Sequence, residues 1–388
     1  MEWEPWLRRW SEEWVSVAEP DEVEPEVRAD RWLGFAPATE SEVVAAEARL
    51  GMRLPPSYRQ FLRCTNGWRD AGSFVSRMRD TESVGWVRDF EPHWAEWEEL
   101  TDQDNADPGN GNRFTRGLLL SLEADAGILF LDPGDVDASG EWAAYSLFSW
   151  RAAPPVRFAS FAALMEHLYA EFHQMHQPEG ETRDEWETQV EHARTRALAG
   201  EADGADEVLA EAEEFGLERA TVLRVQILLL SGDHYEAGTL LGRLLHPAFL
   251  TEGFLTDPVF TEELLPYLFH EHARVAGSAR NSVLQSAMVG ERPEILAMIA
   301  EHEPRFRAPA HALGYGNADF DAPVRRARTA HADDPEALWT AIREAMPHWR
   351  PRTPDHIAPV ALLGDPVLAA AITPERGREL LTTPRSAE

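Results

Sequence analysis

A chain of 388 residues is too long for one small module, and at roughly 100 to 200 residues per domain it should fold as two or three. Hydrophobic residues make up 44% and charged residues 27%, a globular balance that argues against wholesale disorder. The formal net charge is −32 and all 36 cations are arginine, so Schiff-base chemistry and a P-loop phosphate lysine are excluded. Acidity is spread along the chain: 16 Arg stand against 33 Asp and Glu up to residue 180, and 20 against 35 beyond it. So negative a body repels nucleic acid and anionic membranes and speeds encounter with a basic partner, although the same surface also serves solubility alone. No run of about 18 apolar residues occurs, and residues 1–14 carry charges where a secretory leader would be apolar, so the expectation is a soluble, cytoplasmic protein. Cys64 is the single cysteine, which leaves no intramolecular disulfide, cysteine zinc cluster or CxxC pair.

Trp3, Trp6, Trp10 and Trp14, with Leu7, recur at helical spacing and predict an amphipathic helix whose aromatic stripe packs on its own domain or docks a partner. Between Val17 and Asp30 the composition turns to Glu, Asp, Pro and Val and reads as a solvated linker. Thr39-Glu40-Ser41-Glu42 has the form of a capping box, so a helix should start there, turn Val43, Ala46 and Leu50 inward and leave through a left-handed Gly51. Leu54-Pro55-Pro56-Ser57 restarts a short helix with Tyr58, Phe61 and Leu62 inward, ending at Asn66-Gly67. Cys64 on that helix reads as a small buried hydrophobe. Residues 74–97 show no clear period. Leu118 to Leu122, Ile128 to Leu131 and Trp142 to Trp150 read as strands of an antiparallel sheet, and the spacing of Phe161, Leu164, Met165, Leu168, Tyr169 and Phe172 after Ser160 predicts a helix that covers it.

These residues resemble a known family. Leu33-Gly34-Phe35, Pro37-Ala38, Glu47, Leu50-Gly51, Leu54-Pro55, Tyr58, Phe61-Leu62 and Asn66-Gly67 look like the N-terminal signature of the SUKH superfamily, named partly for a fungal cell-wall assembly regulator. Leu129-Phe130-Leu131-Asp132-Pro133, Gly140-Glu141-Trp142 and Ala159-Ser160-Phe161 resemble its central strands and closing helix. The likeness covers about residues 30–175 and implies an α+β domain, an antiparallel sheet with helices, that most often acts in bacteria as an immunity protein binding and neutralising a toxin. The fungal members are signalling and cell-wall regulators.

From about Thr182 onward the pattern is helical. Ala199-Gly200, Ala205 and Leu209 line up with Ser231-Gly232, Ala237 and Leu241 at a 32-residue period, close to a tetratricopeptide repeat. Leu255-Thr256-Asp257-Pro258-Val259 echoes Leu363-Gly364-Asp365-Pro366-Val367 and suggests duplicated helical units. The expected domains are therefore 1–178, α+β with a Trp-rich first helix, and 181–388, an all-α, repeat-like region whose stacked helix pairs leave a groove for protein segments. Arg325-Arg326-Ala327-Arg328 is a basic knot that offsets nearby acids.

Signatures of catalysis are missing: there is no GxSxG, no strand-associated GxGxxG and no GxxxxGK[ST]. His270-Glu271-His272 fails the HExxH spacing, and His167, His173 and His176 are little better placed. Asp132, Asp135 and Asp137 have the look of a calcium loop, but Pro133-Gly134 make a strand-ending turn the better reading. No enzyme, cofactor or metal is expected. The stretch 89–107 is the candidate partner-binding surface: Asp89, Glu91, Glu96, Glu98, Glu99, Asp102 and Asp104 surround Trp94 and Trp97, with no Arg between Arg88 and Arg113. Aromatic anchors ringed by carboxylates suit a basic toxin domain such as a nuclease; the bland alternative is a solvated acidic loop whose Trp residues pack inward. The rival function is a scaffold in which the helical region holds a host protein.

Overall fold

The computed structural model describes residues 2–19, 23–94, 112–246, 249–276, 281–289, 292–307 and 313–385, arranged as two compact units, 1–183 and 184–388. An antiparallel α+β unit comes first and a helical unit follows, with the architecture expected of each.

In the first unit, α1 (Trp3–Val17) buries Trp3, Leu7 and Trp10, so the tryptophan stripe packs on its own domain. Trp3 meets Phe61 and Phe161, and Trp10 meets Trp68 and Tyr169, at centroid distances of 5.1–5.7 Å. The expected linker is partly structured: α2 (Pro25–Asp30) starts on a proline that pre-sets its dihedral, and Val23 and Val27, one turn apart, are buried. Helix α3 (Glu40–Leu50) carries the capping box, with the Thr39 N–H donating to Glu42 Oε2 at 2.7 Å, and ends at Gly51 with φ 77°. Helix α4 (Pro56–Cys64) follows Pro55, which offers no side-chain cap. Glu141, 84 residues on, supplies the cap instead: its two carboxylate oxygens accept from the Ser57 N–H at 2.8 Å and the Ser57 hydroxyl at 2.6 Å. Cys64 is half-buried, and burial pushes its thiol up in pKa, with the Glu4 charge adding to it.

Two antiparallel sheets share this unit. One runs β1 (Trp68–Arg69), β2 (Arg77–Met78), β5 (Ser121–Glu123); the other runs β3 (Gly85–Trp86), β4 (Leu118–Leu119), β6 (Gly127–Val136), β7 (Trp142–Phe148), β8 (Val156–Phe158). The apolar run 118–122 is thus not one strand: it passes from the second sheet to the first at Leu120, whose N–H donates to the Leu129 carbonyl while its carbonyl accepts from Arg79. Pro133-Gly134 does not end a strand. Strand β6 continues through a bulge between Asp132 and Val136, where the missing proline N–H costs no ladder bond, and the turn comes at 137–140. Trp150 lies outside β7, in a 3-10 turn at Ser149–Arg151. Helix α7 (Phe161–His176), capped by Ser160, packs on β7 and β8; α5 (Val87–Phe90) and α6 (Arg113–Arg116) lie near β3 and β6.

The second unit takes in most of α8 (Glu181–Leu198), followed by α9 (Ala202–Glu214), α10 (Glu218–Ser231) and α11 (His234–Leu244). The 32-residue period corresponds to two helix hairpins, turned at Gly200 and Gly232 with φ of 96° and 84° and holding Ala205, Leu209, Ala237 and Leu241 fully buried. Helix α10 is buried nearly all round, and its one buried amide, Gln226, is satisfied by the Ile357 N–H at 2.8 Å and the Asp355 carbonyl at 2.7 Å. The chain continues through α12 (Leu265–Val275), α13 (Val283–Met288), α14 (Pro293–Arg307), α15 (Ala318–Ala330), α16 (Pro335–Ala345), α17 (Pro366–Ala369) and α18 (Pro374–Thr382). The Asp-Pro echo is a local capping motif rather than a duplicated unit. Each aspartate follows a 3-10 turn and accepts from the N–H two residues on, at 2.7 Å for Asp257 and 2.9 Å for Asp365, but Asp257 is exposed and Asp365 fully buried.

Candidate functional site

The acidic and aromatic segment begins on α5, whose exposed end presents Asp89 and Phe90. The Arg88 side chain donates to the Thr115 carbonyl at 3.0 Å and lies 3.8 Å from Asp89. Glu91 is 3.5 Å from His93, and the Trp94 N–H donates to the Glu91 carbonyl at 3.1 Å, which folds 91–94 back over the sheet. The half-buried Trp94 ring stacks on Phe114 (6.1 Å, 26°) at the border of an apolar cluster that includes Val87, Leu119, Phe130 and Tyr145. Of the nine candidate residues the structure therefore brings Asp89, Glu91 and Trp94 to one edge of the five-stranded sheet, with Trp94 turned inward. Glu96, Trp97, Glu98, Glu99, Asp102 and Asp104 lie outside the described residues.

Across β6, β7 and the opposite edge strand β8, the same sheet carries a charge cluster that spacing did not reveal. Asp135 accepts two hydrogen bonds from Arg157 at 2.7 and 2.8 Å and one from the Tyr145 hydroxyl at 3.0 Å. The Arg157 guanidinium is the main reason its carboxyl sits below the usual aspartate range. Asp132 is buried against Arg116, and Asp137 accepts from the Ser139 N–H at 2.8 Å. The three aspartates thus serve three separate partners, and the calcium-loop likeness dissolves.

A cleft of about 760 Å³ opens between α4 and the β6–β7 hairpin, lined by Arg53, Arg59, Arg63 and Trp142 among others. Arg59 and Arg63 converge on the Glu40 carboxylate, and Arg59 lies 3.3 Å from Glu47. The Arg59 hydrogen bond leads the causes that hold Glu40 below the usual glutamate range. Sequence spacing does put Arg59 and Arg63 one helical turn apart, but only the fold shows that Glu40 is their common partner.

Of the five histidines singled out in the sequence, four have structural partners. His173 Nε2 is 3.0 Å from the buried Glu13 carboxylate, His167 packs on Phe158, His176 on Phe172, and His272 Nδ1 is 2.6 Å from the Ser282 hydroxyl. Among the described residues no group of three or more His, Cys, Asp or Glu side chains is placed to hold a metal ion. The basic knot behaves as expected: Arg325 pairs with Asp321 and Arg328 with Asp365, both at 2.5 Å.

Residues 37–167, roughly a third of the chain, match the model of the SMI1 / KNR4 family (SUKH-1). This part of the chain is similar to SUKH-1 domains. It spans α3 to the first turns of α7, so the match runs over both sheets and over the helices that the family resemblance emphasised. No curated protein and no solved structure matches the chain. The SUKH-1 family supports a general role as an immunity protein or cell-wall regulator, is generally non-catalytic, and its domains commonly bind protein partners such as toxins. Among the described residues no helix is long and apolar enough to cross a membrane.

Proposed function

We propose that this is a non-catalytic immunity protein whose SUKH-1 domain binds a cognate, basic toxin domain, a nuclease being the best fit, through the surface that starts at α5 and continues along 89–104. The observation that carries the reading is the SUKH-1 match over 37–167, and the exposed Asp89 and Phe90 at the sheet edge support the choice of surface. Carboxylates there steer a cationic toxin face toward the domain, and the neighbouring aromatic side chains supply contact area that excludes water. A toxin so covered loses access to its phosphate-bearing substrate.

The test is titration of the full chain against the toxin domain encoded beside it, at low and moderately high salt, with toxin activity as the readout. Stoichiometric inhibition that weakens with salt is expected. The variant Asp89→Arg with Glu98→Arg keeps Trp94 and should lower affinity at least about tenfold, mostly through the on-rate. Unchanged affinity in that variant removes the surface from the proposal; absence of any toxin inhibition removes the function.

The rival reading, a scaffold that holds a host protein, draws on the two helix hairpins of residues 181–244. Its signature would be a non-toxic partner that survives charge reversal at Asp89 and Glu98.

A further inference from the structure

The helical unit contains a groove that the toxin-binding proposal does not use. Two adjoining cavities of about 370 and 380 Å³ lie along α12, and His234, Tyr267, Glu271 and Arg274 line both. The Tyr267 and His234 rings stack (5.9 Å, 15°) with the Tyr267 hydroxyl 3.3 Å from His234 Nδ1, so the imidazole is held in place. Glu271 accepts a hydrogen bond from the Val283 backbone, yet its Oε2 is shut off from solvent with no hydrogen-bond partner. Three residues further along the same helix, Arg274 makes no ion pair or hydrogen bond among the described residues, although its charge reaches Glu271, His234 and His270.

Side chains at i and i+3 share a helix face, and a Glu and an Arg so placed ordinarily close on each other. Here they face one groove unpaired. Burial raises the Glu271 carboxyl and is the main cause lowering the His234 and His270 imidazoles, as expected where little water reaches. The far wall of the first cavity is apolar, made by Leu363, Pro366, Ala369, Ala370 and Ile372. A lone cation would satisfy Glu271 and leave Arg274 beside a second positive charge; a lone anion would do the reverse. A ligand with both charges a few bonds apart and an apolar arm satisfies all three features.

We propose that this groove binds a free α-amino acid with an aliphatic side chain, its carboxylate on Arg274, its ammonium on the Glu271 carboxylate and its side chain against the Leu363 to Ile372 wall. The proposal is independent of toxin binding. It is tested by calorimetric titration of the full chain with L-leucine, N-acetyl-L-leucine, which keeps only the carboxylate, and L-leucinamide, which keeps only the ammonium. Leucine should bind saturably, and each single-charge analogue should bind at least about tenfold more weakly, because each loses one charged hydrogen bond. Glu271→Gln should weaken leucine while sparing N-acetyl-L-leucine, and Arg274→Gln should weaken leucine while sparing L-leucinamide. Arg274 is exposed and glutamine preserves the shape of Glu271, so both variants should melt like the parent chain. No leucine binding at millimolar concentration, equal affinity for the three ligands, or unchanged leucine affinity in both variants would overturn the proposal.

Discussion

The α+β unit packs tilted and edge-on aromatic rings into its interior, whereas the helical unit relies on aliphatic side chains, with a few single rings, pinned by buried charge. All tryptophans but Trp186, Trp339 and Trp349 lie in the first 183 residues, where Trp6 joins Trp3, Phe61 and Phe161 to Trp10, Trp68 and Tyr169 in one contiguous aromatic cluster. In the second unit Glu263 and Asp365 are fully buried. Glu263 accepts from Arg352 and from the Ala361 N–H, both at 2.8 Å, and Asp365 accepts from the Tyr315 hydroxyl at 2.8 Å. The difference follows from what each unit must hold. Short strands and helices need large side chains to span the gaps between them, whereas the irregular segments at 346–365 expose backbone N–H groups that a buried carboxylate can satisfy.

The comparison breaks most readily at Trp10. It is fully buried among Trp6, Trp68 and Tyr169, so Trp10→Ala should cost the first unit about 3–5 kcal/mol in urea unfolding, and a loss below about 1 kcal/mol would refute an aromatic core there. Next comes Arg352→Ala, which leaves the buried Glu263 charge without its guanidinium, with the Ala361 N–H and, at 3.3 Å, His356 Nε2 still beside it. A loss of about 3 kcal/mol is expected, at the low end of the range for a broken buried pair because the Arg352 side chain keeps 22% exposure. Replacing Glu263 and Arg352 together by Leu and Met should cost less than Arg352→Ala alone, and a larger loss would contradict the stranded-charge account.

The smallest effect sharpens the comparison at Glu13, a carboxylate that the first unit buries. Burial is the largest influence and raises its pKa, but hydrogen bonds from His173, Tyr169 and the Thr182 N–H, with the His173 charge, outweigh it and hold Glu13 below the ordinary 4.5. As pH falls the unfolded chain therefore binds the proton first. The stabilisation is present in full above the unfolded value and is lost as pH drops through the folded one. Melting curves of the parent chain and Glu13→Gln should differ by a constant amount from neutral pH to about pH 5 and converge below that. A difference independent of pH down to strong acid would show that the ionised carboxylate is not what stabilises.

Local signals were legible wherever neighbours in sequence are also neighbours in space. The Thr39 capping box, the left-handed Gly51, the tryptophan stripe of α1, the Ser160 cap and the hairpin glycines at 200 and 232 all work within a turn or two of themselves. The two-residue strands at 68, 77 and 85 carry too few residues for a period to register, and the run 118–122 hid a change of sheet because both sheets bury it. At the candidate surface the acid pattern of 89–104 was plain in the sequence, but the inward turn of Trp94 depends on Phe114, twenty residues away.

The sequence by itself determined the class of each half, the main helices and their caps, the SUKH likeness and the acidic character, because periodicity, capping and charge are properties of contiguous residues. Only the tertiary structure decided that Glu141 caps α4, that Asp365 is buried while its echo Asp257 is exposed, and that Glu271 and Arg274 face one groove unpaired. Each of these joins groups far apart in the chain or sets how much water reaches them, and neither quantity is written in a local pattern.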